Sequence, residues 1–477
     1  MSYRLAQQVN LMERDGESFL VCNSPLCVLR LNRALKDLLD RMAAGALASI
    51  TPAESAVLEQ LVDKGFALRT TAVIAPSAEL PTVSIVIPVK DRAGELERCL
   101  TSISRISYPQ ELLQLIVVDD GSSDNSAEVA RLHGAEVLPS GGTGRGPAAA
   151  RNVGARGATG DILAFIDSDC TASTEWLNEL IPSFTNSATA AVGGLVDGMC
   201  TASEIDRYET VMSSLSLGSR ERSGSSGDDT FYLPSCNMLV RRSAFHRAGG
   251  FNDEMHVGED VDLTWRLRDS GWTITYLPAG RVYHEHRSSV RSFMSRRFDY
   301  GTSEGILQRI HPLRRKRMVI PPLLGLLLML LVLAPTTGWW SLLAAVSVLT
   351  LDTFTVRRKL SSRRVPVGLA AIAGGRLRAF GSLIYYLSFH LVRYYSLLLI
   401  LAAPLVPWLG LLFTAMLACA AGVDFSIKKP SQSFLVFAVI YTIEQIAYGS
   451  GVFWGCLRRG CFSSYRVVVM RQMELST

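Results

Sequence analysis

The chain contains few cysteines and lacks the spacing of ligands that is typical of zinc sites. Its nine cysteines are scattered over 477 residues. Four residues separate Cys22 from Cys27 and Cys456 from Cys461, with no second pair or histidine nearby. Zinc modules need clustered pairs of ligands. We therefore interpret the cysteines as reduced residues that pack in the interior.

The amino terminus also lacks the pattern of a cleaved signal peptide, because residues 1–8 contain no charged start followed by a continuous apolar stretch. We expect the soluble part of the chain to lie in the cytoplasm. The net charge of +5 is modest and does not favour nucleic acid as a partner. Apolar residues make up 48% of the chain. Because the mean hydropathy is +0.22, we expect part of the chain to meet membrane lipid.

Neither common nucleotide-binding loop is present. The segment 141–146 is rich in glycine, but its spacing fits neither the dinucleotide fingerprint nor the ATP loop, which ends in Gly-Lys-Ser/Thr. The helical pattern that follows contains Arg151. This arginine could face a diphosphate or a base, and a surface ion pair is an equally good interpretation.

Residues 1–70 predict a small winged-helix-like module, followed by a linker at 71–81. Phe19 to Cys22 has the composition of a short strand, and leucines recur at helical spacing between Leu31 and Leu39. Thr51, Pro52 and Glu54 form a capping-box pattern for a further helix, which we expect to stop at Gly65. A plain docking or folding appendage is the alternative interpretation.

Strands alternate with amphipathic helices over residues 82–312. The strand candidates are runs of Ile and Val without polar alternation, which is typical of a parallel sheet buried on both faces. These runs lie at 83–88, 114–118, 162–166, 190–192 and 273–277. The pattern predicts a doubly wound α/β domain whose site lies at the carboxyl ends of its strands.

From residue 313 to 477 we expect a membrane-associated helical region. Apolar blocks cover 318–334 and 338–356, with a hinge at 335–338, then about 380–422 and 433–457. Clusters of Lys and Arg flank the first pair, which favours a cytoplasmic side for both of its ends. The later blocks could span the bilayer, re-enter it or lie at its surface. The pattern leaves the number of spans open.

Asp167-Ser168-Asp169 directly follows the apolar run 162–166. Two carboxylates one residue apart can share one divalent cation, and oxygen ligands suit Mg²⁺ or Mn²⁺ held largely by substrate phosphates. A pair of helix-capping aspartates is the alternative. One of His284 and His286 could complete the metal shell with Asp169.

Two further acidic segments end strand-like runs or begin helices. Asp119 and Asp120 end one run and precede Gly121, so a ribose or a base could be held there, or the turn could simply be capped. Glu259 and Asp260 come just before a helical pattern. Asp260 is either a cap or a general base that faces an acceptor hydroxyl.

Together these segments resemble family 2 glycosyltransferases. The resemblance covers residues 81–300 and rests on six motifs in order. They are Ile87-Pro88-Val89-Lys90-Asp91-Arg92, Val118-Asp119-Asp120-Gly121-Ser122, Ala150-Arg151-Asn152-Val153-Gly154, Phe165-Ile166-Asp167-Ser168-Asp169, Ser235-Cys236-Asn237-Met238 with Gly249-Gly250-Phe251, and Gly258-Glu259-Asp260. The family implies a GT-A fold and an inverting transfer from a nucleotide-sugar.

The resemblance also implies roles for individual residues. A nucleotide-sugar would be held by Pro88, Asp91, Asp119, Asp120, Arg151 and Asp167. The metal would be held by Asp167, Asp169 and His284, and Asp260 would be the base with Glu259 beside it. Lys90 stands where many members have Asn, which puts the first loop's contact in doubt. Gln-x-x-Arg-Trp, a mark of processive polysaccharide synthases, is absent and disfavours processive synthesis.

Within the family, the chain resembles the mycofactocin-system glycosyltransferases. Residues 88–92 and 146–152 fit that group, and the amino-terminal unit looks similar to a PqqD-like peptide-recognition module. This resemblance implies a peptide-derived acceptor, UDP-glucose as donor, Mn²⁺ or Mg²⁺ as cofactor, and a catalytic domain on the cytoplasmic face of the inner membrane. The alternatives are a polyprenyl phosphate or cell-envelope glycolipid or polysaccharide acceptor, and a non-catalytic, membrane-tethered binding scaffold.

Overall fold

A computed structural model describes most of the chain. The described residues are 2–6, 9–14, 17–23, 26–43, 50–64, 66–70, 80–224, 230–314, 318–362 and 367–469. The predicted linker at 71–81 and the predicted stop at Gly65 lie largely outside them.

The first described stretch contains short strands and two helices. They are β1 Ser2–Leu5, β2 Val9–Arg14, β3 Glu17–Asn23, β4 Leu26–Leu31, α1 Arg33–Ala43, α2 Pro52–Asp63 and β5 Ala67–Thr70. β2, β3 and β4 form one antiparallel sheet, and β1 pairs with β5. Thr51 and Glu54 form the predicted capping box at the start of α2. The module is therefore richer in strands than its sequence pattern indicates.

Residues 80–314 alternate strands with helices. The strands are β6 Val83–Val89, β7 Leu113–Asp119, β8 Glu136–Pro139, β9 Ile162–Ile166, β10 Cys170–Ala172, β11 Thr189–Gly193, β12 Val196–Gly198, β13 Arg222–Gly224, β14 Asn237–Arg241, β15 Thr273–Tyr276 and β16 Val282–His284. The helices are α3 Ala93–Ile103, α4 Ser126–Leu132, α5 Pro147–Gly157, α6 Trp176–Leu180, α7 Glu204–Met212, α8 Arg242–Arg247, α9 Glu259–Asp269 and α10 Val290–Ile310.

Eight strands form the central sheet, in the order β13-β15-β11-β14-β9-β6-β7-β8. Apolar side chains pack against both of its faces in two separate clusters, as the uninterrupted Ile and Val runs predict. The sheet is mixed, however, and the expectation of a purely parallel sheet is wrong. β14 runs antiparallel between β9 and β11, and β13 runs antiparallel to β15. An apolar run indicates burial but not strand direction.

The reversed strand β14 helps to build the site. Its first residue, Asn237, pairs with Ile166, the last residue of β9. The segment that precedes Asn237 therefore lies beside the segment that follows Ile166. A second, three-stranded sheet has the order β10-β16-β12 and carries His284.

The last described stretch is dominated by long apolar helices. Its elements are β17 Met318–Ile320, α11 Pro322–Thr337, α12 Trp339–Ser362, α13 Leu369–Ala402, α14 Pro407–Lys428, α15 Phe434–Arg459 and β18 Val467–Val469. In the described residues, four of these helices are long and apolar enough to cross a membrane, namely α12, α13, α14 and α15. The chain therefore has the composition of a membrane-associated protein.

The chain divides into two compact units. One comprises residues 1–70, 316–423 and 463–477, and the other comprises 71–315 and 424–462. The second, which we call the catalytic unit, thus contains the whole α/β domain together with α15. The predicted domain limits of 1–70, 82–312 and 313–477 remain predictions.

Candidate active site

Asp167 and Asp169 leave the carboxyl end of β9 in different directions. Asp167 Oδ1 accepts a hydrogen bond from Arg151 Nη2 at 2.5 Å. Asp169 pairs through Oδ2 with the guanidinium of Arg92. The two carboxylates thus pair with different arginines.

His284 lies beside Asp169 because β10 and β16 pair antiparallel with Cys170 opposite His284. His284 Nε2 is 3.6 Å from Asp169 Oδ1. Among the described residues, ligand atoms of Asp169, Cys170 and His284 all lie within 4.8 Å of one another. The ring of His286 packs beside that of His284 in a tilted arrangement, with the centroids 4.9 Å apart, but His286 does not join this cluster. The structure therefore places His284, and not His286, next to the predicted metal ligand.

The donor atoms of this cluster fit a divalent cation. A carboxylate oxygen suits Mg²⁺ or Mn²⁺, and a neutral imidazole nitrogen is a common metal ligand. In the described part of the chain, His284 Nδ1 is buried without a hydrogen-bond partner, so the ring has a polar atom still to be satisfied. Burial raises the pKa of the Cys170 thiol, which disfavours the thiolate that a metal would need. Asp169 and His284 would therefore be better metal ligands than Cys170.

Arg151 joins the two acidic groups of the site. It lies on α5 and is 2% exposed. Its Nη1 donates to Glu259 Oε1 at 2.8 Å, while its Nη2 reaches Asp167. The surface ion pair considered from the sequence is therefore wrong, because this guanidinium is buried and pairs with Glu259, which lies 108 positions further along the chain.

Glu259 and Asp260 begin α9, directly after Gly258, whose φ of +83° favours glycine. Asp260 Oδ2 accepts from the Ser235 amide at 3.2 Å, and Oδ1 accepts from the Val261 amide at 2.8 Å. Burial raises the pKa of Asp260 above its ordinary value. Burial, together with the charge of Asp260, raises the pKa of Glu259 to about 7. A carboxylate with a raised pKa is a stronger base, as proton abstraction requires.

The expected nucleotide end of the site is built from the loops after β6 and β7. Asp91 has a φ of +50°, and its carboxylate accepts from the Ser123 amide at 2.6 Å. Asp119 Oδ1 accepts from the Ser122 amide at 3.0 Å. Pro88 is part of β6. These residues meet at the carboxyl edge of adjacent strands, where open α/β sheets bind ligands.

Asp120 instead supports the glycine-rich loop. Its Oδ1 accepts from Ser140 Oγ at 2.6 Å and from the Arg145 amide at 2.9 Å, and its Oδ2 accepts from the Gly146 amide at 2.9 Å. It is 5% exposed. Three internal hydrogen bonds occupy this carboxylate, so Asp120 shapes the loop, while Asp119 is the more accessible of the two acids.

Comparison with known proteins identifies the family of this chain. Residues 84–249 match the family model described as glycosyl transferase family 2. Over 459 residues the chain is 31% identical to the pre-mycofactocin glycosyltransferase of Mycobacterium tuberculosis (strain ATCC 25618 / H37Rv), and the alignment covers 93% of each chain. The chain belongs to glycosyl transferase family 2. It is an enzyme with a mixed α/β GT-A-type domain, and the non-catalytic scaffold considered from the sequence is excluded.

Other proteins match smaller parts of this family 2 glycosyltransferase. Glycosyltransferase AglE of Haloferax volcanii is 29% identical over 210 residues, which cover 42% of this chain and 66% of that protein. Among solved structures, a mannosyltransferase from Pyrobaculum calidifontis, in complex with GDP-Man and Mn²⁺, is 20% identical with a TM-score of 0.40. That match covers 75% of this chain and 90% of the other.

Sequence reasoning missed several arginines of the glycosyltransferase site. Arg92 was part of a motif but received no role, although it pairs with Asp169. Burial lowers the pKa of Arg296 on α10, but Tyr300 and, after it, the charges of Asp167 and Glu259 raise this pKa above its ordinary value. Burial, with the nearby charges of Arg296 and Arg92, lowers the pKa of Arg287. The paired Arg296-Arg297 shortly after the two histidines was a signal that could have been followed.

Proposed function

We propose that this chain is an inverting, metal-dependent hexosyltransferase. It transfers a sugar, with glucose from UDP-glucose as the leading candidate, to a hydroxyl of a peptide-derived mycofactocin precursor. The observation that carries the proposal is the chain of contacts that leads from Glu259, the residue next to Asp260 in sequence, to Asp167. Glu259 pairs with Arg151, and Arg151 pairs with Asp167.

One buried arginine thus holds both the acid beside the proposed base and the aspartate on the proposed leaving-group side.

The roles of the side chains follow from their charges. Asp260 takes the proton of the acceptor hydroxyl as its oxygen attacks the anomeric carbon, which inverts that carbon in one displacement. Glu259 lies next to Asp260 and fixes Arg151. Arg92, Arg151 and Arg296 supply positive charge where the diphosphate leaves.

Asp169 and His284 would hold the cation, with Asp167 on the same loop. When bound, a divalent cation supplies Lewis-acid stabilisation of the departing diphosphate. Asp91 and Asp119 would hold the nucleoside, and Asp120 would support it through the glycine-rich loop. Pro88 lies on the same strand end as Asp91.

The acceptor assignment draws its support from the pre-mycofactocin glycosyltransferase, since the similarity extends over 93% of both chains and so includes at least part of the amino-terminal module. A PqqD-like peptide-binding role for that module is part of the proposal. The apolar helices favour a second candidate, a polyprenyl phosphate or another envelope lipid as acceptor, because they would keep the enzyme among lipids. We place the enzyme at the inner membrane with its catalytic unit in the cytoplasm.

The test is Mn²⁺-dependent release of UDP from UDP-glucose by the purified, detergent-solubilised full chain. The two acceptors to compare are a mature mycofactocin precursor and a polyprenyl phosphate. Release with the peptide-derived acceptor alone supports the proposal, whereas release with the lipid alone contradicts it. Asp169→Asn should lose the activity. Glu254→Gln, which changes an exposed carboxylate near α9, is the matched control and should keep it.

A further inference from the structure

The helix α15 differs from the other candidate membrane spans. All four are long and apolar, but half of the apolar window of α15 is buried, against 22% to 28% in the other three. Its buried face packs within the catalytic unit, against α7 and α10. Hydropathy alone therefore does not decide whether α15 crosses a bilayer.

The backbones of α10 and α15 approach each other at paired glycines. A Cβ atom added to Gly451 would lie well under 3.0 Å from the carbonyl oxygen of Phe298, and one added to Gly455 would meet the carbonyl of Thr302 equally closely. Gly301 and Gly305 of α10 face α15 in the same way. Only glycine permits this approach on both helices, so the contact is a built interface.

Polar side chains extend this interface. Glu444 of α15, which is 6% exposed, accepts from Tyr208 Oη at 2.5 Å and lies 3.3 Å from Arg297 Nε. Arg297 also pairs with Glu209 at 2.8 Å. Further along α15, Tyr448 Oη donates to Glu304 Oε1 at 2.6 Å. The middle of α15 is thus joined to charged groups of the catalytic unit.

These contacts extend along most of the helix. They begin at Phe437, whose ring centroid is 5.2 Å from that of Tyr208, and end near Cys456. That stretch rises about 28 Å along the helix axis. This length is nearly the full thickness of the hydrocarbon core of a bilayer, ~30 Å. If α15 crossed the bilayer, α10 would have to enter it too. Yet α10 carries Arg291, Arg296, Arg297, Asp299, Glu304 and Arg309 and is not among the candidate spans of the described residues.

The opposite face of α15 carries an apolar stripe that points away from the catalytic unit. The exposed fractions are 76% for Leu435, 60% for Val439, 43% for Phe453 and 54% for Leu457. Together with the half-buried Ile446, these residues recur at spacings of four and seven, which places them on one side of a helix. We call these five residues the outer stripe.

The residues at the two ends of α15 indicate that the partner of the outer stripe is lipid. Lys428 and Lys429 precede the helix, and Arg458 and Arg459 end it. Arg458 lies over the ring of Trp454 at 4.9 Å, and tryptophan with arginine is typical of a membrane interface. The preceding helix α14 is a candidate span that ends only a few residues before α15 begins. A chain leaving the bilayer there reaches α15 at the membrane surface.

We propose that α15 is an interfacial helix that docks the catalytic unit on the membrane surface and does not cross the bilayer. One face is fixed to α10 and α7, and the outer stripe enters the headgroup region of the facing leaflet. The polar groups of α10 then stay out of the hydrocarbon core. A surface helix with an apolar face is expected to sit about 5–10 Å into the headgroup and acyl boundary.

The first test measures depth. Each residue of the outer stripe is replaced by cysteine, one position at a time, and the cysteine is labelled with a nitroxide. The labelled full chain is reconstituted in vesicles of phosphatidylethanolamine and phosphatidylglycerol. The partly exposed Cys200, Cys419 and Cys461 are first replaced by serine. Accessibility to oxygen and to a nickel chelate then gives the depth of each label. Leu351 of α12 serves as the control in a candidate span and is 65% exposed.

We expect all five labels at one shallow depth, less deep than the label at Leu351. Depth that increases from Leu435 to Ile446 and decreases again to Leu457 would overturn the proposal, because a spanning helix gives that profile. Labels accessible to the nickel chelate throughout would overturn it as well, since the stripe would then face water. UDP release by each labelled protein confirms that it is folded.

The second test measures sidedness. One epitope is inserted after Ser431 in the loop before α15, and another follows Thr477. If α15 stays at the surface, an antibody added to sealed inverted vesicles binds both epitopes. Binding of only one epitope before detergent is added would place the two ends of α15 on opposite sides and contradict the proposal.

Discussion

Arg151 and Glu259 form a buried ion pair with 2.8 Å between Nη1 and Oε1, although 108 residues separate them in sequence. The pair fixes the start of α9 to α5. Because the other nitrogen of the same guanidinium reaches Asp167, one arginine sets the position of both acidic groups. Removing either partner would leave a buried charge uncompensated.

Arg151→Ala should therefore destabilise the catalytic unit by about 3 to 5 kcal/mol, the typical cost of breaking a buried pair. It should also abolish UDP release, because Glu259 and Asp167 lose their common partner. Thermal unfolding of the purified chain measures the first effect. Arg156→Ala, at an exposed position on the same helix, is the control and should change stability little. Equal melting temperatures for the two variants would contradict the role of Arg151.

His284 and His286 provide a matched pair for testing the metal site. His284→Ala should weaken Mn²⁺ binding at least about tenfold, because Nε2 faces Asp169. His286→Ala should not, because its ring packs beside His284 without reaching the cluster. Titration of Mn²⁺ by electron paramagnetic resonance gives both affinities without requiring activity. A loss confined to His286→Ala would reverse the assignment.

Much of the fold can be predicted from the sequence, because buried strands and helix caps each produce a recognisable pattern of neighbouring residues. The run 162–166 became β9 with the same limits, and the capping box at Thr51 is present as predicted. The reversed direction of β14 could not be read, because Asn237 to Arg241 is too short to encode its partners. In the site, the acidic residues were prominent, whereas Arg92 and Arg296 resembled ordinary surface arginines until the fold gave them partners.

The same limit applies to the membrane region. Glu444 was visible as a polar residue in an apolar block, but its partners Tyr208 and Arg297 are distant in sequence. No local pattern joins them. The sequence pattern left open whether this block spans the bilayer. The packing of α15 on α10 favours a position at the membrane surface.

The activity should depend on pH in the way that a base with a raised pKa requires. Asp260 works as the carboxylate, so kcat/KM should fall as the pH falls through its pKa. Because burial raises that pKa, the acid limb should lie above the ordinary range of aspartate, ~3.9. A limb at the ordinary aspartate value in the unaltered enzyme would contradict the raised pKa.

The glycine contact between α10 and α15 should be intolerant of a methyl group. Gly451→Ala places a Cβ against the backbone of Phe298, and such overpacking typically costs about 1 to 3 kcal/mol. The melting temperature of the catalytic unit should fall accordingly. Gly381→Ala on α13 is the control, because an added Cβ there meets nothing within 4 Å. A fall in the control that equals the fall in Gly451→Ala would argue against close packing.

The most direct test of the proposed chemistry is Asp260→Asn. Asparagine keeps the size of the side chain but cannot accept the proton. We expect kcat for sugar transfer to fall by about 10²- to 10⁴-fold, while calorimetry in the presence of Mn²⁺ shows donor binding nearly unchanged. Turnover close to that of the unaltered enzyme would contradict the assignment of Asp260 as the base.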